Sequence, residues 1–180
     1  TQQETSRFLK AKRALFDKYY SFLNDKQKEA VYTINGPVLI LAGAGSGKTT
    51  VLVNRIGHII KYGDAYLTQD VPEFITEDTL SDLEDAISLP KEQIEKYLEL
   101  FTKNPCPTWG ILAITFTNKA ANEIKERLEK ILNEDASEIW AGTFHSICMR
   151  ISLTKREFVP TAASPFRTAF SCASAATTSL

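Results

Sequence analysis

The eight residues Ala42-Gly43-Ala44-Gly45-Ser46-Gly47-Lys48-Thr49 constrain this chain more than any other stretch. An apolar run, Pro37-Val38-Leu39-Ile40-Leu41, precedes them, and apolar positions at helical spacing, Val51, Leu52, Ile56, Ile59 and Ile60, follow. The order predicted is strand, glycine-rich turn, helix. Glycines in such a turn let backbone N–H groups converge on phosphate oxygens, and the helix N-terminus adds unbonded donors and partial positive charge. Lys48 is then placed to reach β- and γ-phosphates, and the Thr49 hydroxyl to ligate a bridging Mg²⁺. Ala42 stands where the strict pattern has glycine, a departure of one methyl. The competing reading, a surface turn with a solvated lysine, leaves the flanking strand and helix without a purpose.

At 180 residues the chain has room for one full domain and is short for two. A hydrophobic fraction of 43% and a charged fraction of 24% are those of a soluble globular protein. The formal net charge of −1 excludes a broadly basic nucleic-acid binder, so any DNA contact has to come from local placement of groups. Cys106, Cys148 and Cys172, with His58 and His145, show neither zinc nor disulfide spacing. The first residues lack the apolar core of a signal peptide, and no apolar run approaches a membrane span. A cytoplasmic location is the expectation, and an odd, unpatterned cysteine set fits a reducing compartment.

Residues 6–23 place Phe8, Leu9, Leu15, Phe16, Tyr19, Tyr20 and Leu23 among Arg7, Lys10, Lys12, Arg13 and Lys18, which predicts an amphipathic helix with a basic face. A docking helix with a solvated rim explains that pattern more simply than a nucleic-acid arm. Next, Asn24 and Gln27 have the spacing of a capping box at a helix start. Residues 62–108 carry eleven acidic residues against Lys91, Lys96 and Lys103. A helix around 79–87 and another opened by Pro90, with the stripe Ile94, Leu98 and Phe101, make this an acidic helical insertion that belongs off any DNA path.

A strand is expected at 110–115, then Phe116-Thr117-Asn118 and a helix with Ala121, Ile124, Leu128, Ile131 and Leu132 on one face. A short strand over 137–142 leads to Thr143-Phe144-His145-Ser146 and a further helix through about residue 151. This alternation implies βαβ crossovers and a parallel sheet, with ligands at the carboxyl ends of the strands. Residues 161–180 are dominated by Ala, Ser and Thr and read as weakly ordered.

Three stretches together resemble the UvrD/Rep superfamily 1 DNA helicases. Residues 23–31 are similar to the adenine-reading Q motif, AGAGSGKT to the phosphate-binding motif, and ITFTNKAA with TFHS to the two motifs that follow. The resemblance covers about residues 22–61 and 110–151. It implies an α/β fold: a P-loop NTPase (RecA-like) parallel sheet with flanking helices, incomplete, and carrying the acidic insertion. The organisation expected is an N-terminal amphipathic helix over 1–22, a partial ATP-binding domain over 23–152 and a low-complexity tail over 153–180.

Carried over residue by residue, the resemblance gives Gln27 the adenine edge. It gives Ala42, Gly43, Ala44, Gly45, Ser46, Gly47, Lys48, Thr49 and Thr50 to ATP, and Thr49 to Mg²⁺. Lys48 and Thr49 are the residues it implies for catalysis. Thr115, Phe116, Asn118, Thr143, Phe144 and His145 would lie along a single-stranded DNA track, where aromatic rings stack bases and helix N-termini take phosphates. On composition alone, Phe116 and Phe144 read instead as core aromatics at strand ends, and His145 as bonded to a nearby carbonyl.

The chain departs from the family at three points. Thr50 stands where many relatives carry an arginine near the nucleotide. The insertion is longer than the usual link between these motifs. Hydrolysis also needs a strand-end carboxylate and arginines, which relatives supply beyond TFHS, whereas the doublets Glu84-Asp85 and Glu134-Asp135 follow helical patterns. The function expected is therefore the ATP-binding front of a 3′–5′ DNA helicase of replication or repair, inactive alone and binding single-stranded DNA weakly. A non-enzymatic nucleotide or DNA module, and the helicase subunit of a recombination nuclease, are the alternatives.

Overall fold

A computed structural model describes residues 2–43, 45–72, 75–132 and 136–154. Its elements in order are α1 (Gln2–Tyr19), α2 (Asp25–Tyr32), α3 (Lys48–Lys61), α4 (Glu77–Ala86), α5 (Lys91–Glu99), a 3-10 turn (Thr108–Gly110), β1 (Leu112–Thr115), α6 (Asn118–Leu132), β2 (Trp140–Thr143) and α7 (Phe144–Thr154). The architecture is mixed α/β and mostly helical. The chain divides into two compact units, Thr1–Leu39 with His58–Pro105, and Ile40–Gly57 with Cys106–Leu180.

The first unit is helical. α1 buries the stripe Phe8, Ala11, Leu15, Phe16 and Tyr19, at the spacing its sequence predicts. Around Phe16 the rings of His58, Tyr62 and Tyr66 stand edge-on at 5.4, 5.4 and 5.8 Å. This is the geometry that aromatic quadrupoles favour. Tyr32 stacks on Tyr66 with centroids 3.7 Å apart, and its hydroxyl donates to Asp17 at 3.1 Å. The acidic segment forms two short helices, α4 and α5, which bury Leu80, Leu83, Ala86, Ile94 and Leu98. Both pack on α1.

Two cations of the basic face of α1 are engaged within the unit. Arg7 pairs with Glu77 and Glu84, and Lys12 is buried with its ammonium donating to the Thr68 carbonyl at 2.6 Å. The docking-helix reading of this segment therefore holds. Gly63 has φ +56°, and a Cβ there would meet the Lys103 carbonyl at 2.1 Å, so this turn beside the Gly63–Lys103 bridge requires glycine.

The second unit holds the sheet. β1 and β2 pair in parallel, with Leu112 opposite Trp140 and Thr115 opposite Thr143. α6 connects them and buries Ala121, Ile124, Leu128 and Leu132. Gly57 brings α3 against α6 so closely that an added Cβ would stand 2.8 Å from Ile131 Cγ2.

Two expectations are corrected. The run at residues 37–41 is not a strand: Leu39 and Leu41 are 81% and 86% exposed, and among the described residues β1 and β2 pair only with each other. A strand exists through its ladder, and among the described residues no strand pairs with this run. The strand expected over 137–142 begins later, at Trp140, because Ala136 and Ile139 close a turn through the Ile139 N–H to Ala136 carbonyl bond at 3.1 Å. The tail over 153–180 lies almost wholly outside the described residues, as do Ala44 and the Glu134-Asp135 doublet.

Candidate nucleotide and DNA site

The glycine-rich turn ends where α3 begins, at Lys48. Gly45 and Gly47 have φ of +74° and +81°, a region that L side chains rarely enter, so the path of this loop depends on glycine at both positions. The Ser46 hydroxyl donates to the Gly43 carbonyl at 2.7 Å and the Ser46 N–H to the same oxygen at 3.4 Å, which folds the loop on itself. The Lys48 ammonium donates to the carbonyls of Ala42 and Gly43 at 2.9 and 2.6 Å. It lies within the curl of the loop instead of extending into solvent.

The α3 ladder opens with the Val51 N–H donating to the Gly47 carbonyl at 3.0 Å. The first N–H groups of a helix lack intrahelical acceptors, and the dipole of a fourteen-residue helix adds positive potential at the same end. Such a cradle fits a phosphate chain. Thr49, second in the helix, is half-buried. The Thr50 carbonyl accepts the Asn54 amide at 2.8 Å, which fixes the next turn.

At the far ends of β1 and β2 the chain repeats one device. Thr117 Oγ1 accepts the Ala120 N–H at 3.2 Å at the start of α6, and Thr143 Oγ1 accepts the Ser146 N–H at 3.3 Å at the start of α7. Each strand thus delivers the chain into a threonine-capped helix start. Phe116 and Phe144 follow the strand ends at 67% and 62% exposure, so the reading of them as core aromatics is overturned. Asn118 and His145 are also exposed, with the His145 ring edge-on to Phe144 at 6.2 Å.

Thr115 differs from these residues. It is buried, and its hydroxyl donates to the Thr117 carbonyl at 2.9 Å, so it shapes the loop from beneath. The capping roles of Thr117 and Thr143 were signalled by a hydroxyl residue three positions before a helical N–H at each strand end. In the first unit, Gln27 Oε1 accepts the Asn24 N–H and Asn24 Oδ1 accepts the Gln27 N–H, both at 3.0 Å. The capping box expected from the sequence is present.

A family model described as UvrD/REP helicase N-terminal domain matches residues 23–70 and 93–169. The chain belongs to this family. The match reaches beyond residue 151, where the motif resemblance ended, and passes over residues 71–92, which hold α4. The UvrD/REP assignment implies the P-loop fold, to which the glycine-rich turn and the parallel β1–α6–β2 unit correspond.

Among its relatives, the ATP-dependent DNA helicase PcrA of Bacillus subtilis is 44% identical over 131 residues, 73% of this chain and 12% of that protein. The PcrA proteins of Leuconostoc citreum and Staphylococcus aureus are 41% and 40% identical over 130 and 129 residues, 72% of this chain in each case. The chain spans about 12% of the length of these relatives. Among the described residues, no helix is long and apolar enough to cross a membrane.

Proposed function

We propose that this chain is the nucleotide-holding front of an ATP-dependent DNA helicase motor, moving 3′ to 5′ on DNA in replication or repair. The observation that carries this reading is the glycine-rich turn: two positive-φ glycines and an inward lysine at the first residue of α3, where the helix N-terminus begins. MgATP is the ligand. The backbone donors of residues 45–50 and the Lys48 ammonium hold its phosphates, the Thr49 hydroxyl holds the metal, and Gln27, as in the family motif, reads the adenine edge. When bound, Mg²⁺ neutralises charge on the β- and γ-phosphates.

Single-stranded DNA is the second ligand. Phe116 and Phe144 offer faces for base stacking, while the capped starts of α6 and α7 favour phosphate oxygens. With Lys48 bonded to two loop carbonyls, binding exchanges those bonds for phosphate contacts, and a charge-assisted bond to phosphate is the stronger kind.

Calorimetry with MgATP on the wild-type chain and Lys48→Ala tests the reading. The expected result is binding by the wild type and a loss of about tenfold or more in the variant, the scale of one charge-assisted contact. Equal affinities would remove Lys48 from the site and the reading with it.

A further inference from the structure

Besides residues 170–180, two parts of the chain lie outside the family match, the residues before 23 and those from 71 to 92. The first contains α1 and the second contains α4, and these two helices pack on each other. Arg7 of α1 forks onto Glu84 of α4, with Nε and Nη2 on its two carboxylate oxygens at 3.2 and 3.0 Å, and Nη1 reaches Glu77. Just beyond α5, Phe101 meets Phe8 edge-on at 5.5 Å. Lys91, the first residue of α5, lies over Tyr19 at 4.5 Å and Phe22 at 4.7 Å.

Helices of ten and nine residues are too short to persist alone in water. Their buried residues Leu80, Leu83, Ile94 and Leu98 need a surface to cover them, and α1 supplies fully buried Phe8 and Leu15. We propose that α1 is a strap for the insertion: α1 and α4, both outside the family match, form one module with the adjoining α5, and the module opens or closes according to whether α1 is seated. The apolar stripe of α1 holds it shut. The fork from Arg7 to Glu84 sets its register, and being exposed it is the salt-sensitive part of the closure. Opening uncovers the apolar faces of α4 and α5 together.

Amide hydrogen exchange on the full chain tests this, comparing wild type, Arg7→Ala and the double variant Phe8→Ala/Leu15→Ala. In the double variant, exchange across 77–86 and 91–99 is expected to quicken by about tenfold or more, while 118–132 keeps its wild-type rates. Arg7→Ala should give a smaller change confined to α4, matched by the wild type in 1 M salt. Leu15→Val, a milder change, should show the same pattern at reduced size and serves if the double variant does not fold. Protection of α4 and α5 that survives the loss of α1 would overturn the proposal. So would an equal loss of protection in 118–132, or insertion helices already unprotected in the wild type.

Discussion

Thr115 and Thr143 lie opposite each other as the last residues of β1 and β2, and each is followed by an exposed phenylalanine. Parallel pairing brings both strands to an end at the same edge, about 4.8 Å apart at the backbone. The pairing therefore sets Phe116, in the turn before α6, and Phe144, the first residue of α7, at the same edge of the sheet.

Phe116→Ala and Phe144→Ala should each weaken single-stranded DNA binding by roughly 1–3 kcal/mol, the range for one stacked base. Because both rings are exposed, neither change should move the urea midpoint. Fluorescence anisotropy and urea unfolding make the check together. If both variants bind like the wild type, these loops are not the track.

Gly63→Ala should destabilise the first unit by at least about 2 kcal/mol, since a positive φ and a backbone clash act together. The added Cβ would face the carbonyls of Lys103 and Asn104 at 2.1 and 2.5 Å, atoms with no side-chain freedom to retreat. Urea denaturation followed by tyrosine fluorescence reads this unit, where Tyr62 and Tyr66 flank the glycine. A midpoint within error of wild type would contradict the geometry.

Burial pulls the Lys12 ammonium down to about 8 in the folded chain, against an ordinary value of 10.5. Below pH 8 both folded and unfolded chains carry this charge, and the folded one bears the full cost of desolvating it. Between pH 8 and 10 the folded chain has given up the proton and the unfolded chain has not, so this group's contribution to stability rises with pH, by about 2 kcal/mol. Above pH 10 the sign reverses, because burial raises Tyr20, Tyr32 and Tyr62 and the unfolded chain ionises its tyrosines first. Lys12→Met should be more stable than wild type at pH 7 and should lack the rise between pH 8 and 10. Urea midpoints across pH 7–11 provide the measurement, and a wild-type profile flat from 8 to 10 would refute it.

The 180 residues alone should release phosphate from ATP no faster with single-stranded DNA than without it. Groups such as Lys48 and Thr49 hold ground and transition states alike, and that does little for the chemical step. Stabilisation of the transferring phosphoryl group by an arginine is worth on the order of a thousandfold or more. A DNA-stimulated rate that vanishes in Lys48→Ala would show that such groups are present after all.

The glycine-rich turn was legible because its chemistry is local: positive φ at Gly45 and Gly47 and a helix start at Lys48 are written in consecutive residues. The α5 stripe of Ile94, Leu98 and Phe101 and the α6 face of Ala121, Ile124 and Leu128 were legible through period alone, and all six side chains are buried. Residues 37–41 misled because apolar content measures the wish to be buried, whereas a strand also needs a partner that no local pattern reveals. The exposure of Phe116 and Phe144 was hidden for a related reason. Composition ranks phenylalanine as interior, and only the end of each strand decides which way the ring leaves. The seating of the insertion on α1 joins residues more than seventy positions apart, and periodicity carries no sign of such a pairing.

Leu39 and Leu41 have a practical consequence. Two large apolar side chains this exposed favour contact with another apolar surface, and a net charge of only −1 offers little repulsion to keep copies apart. The two leucines beside the phosphate loop, the most exposed of the large apolar side chains among the described residues, are therefore the first to change when self-association is to be reduced. Changing them to threonine, which replaces two exposed apolar side chains with polar ones, is the direct route to concentrated, monodisperse samples.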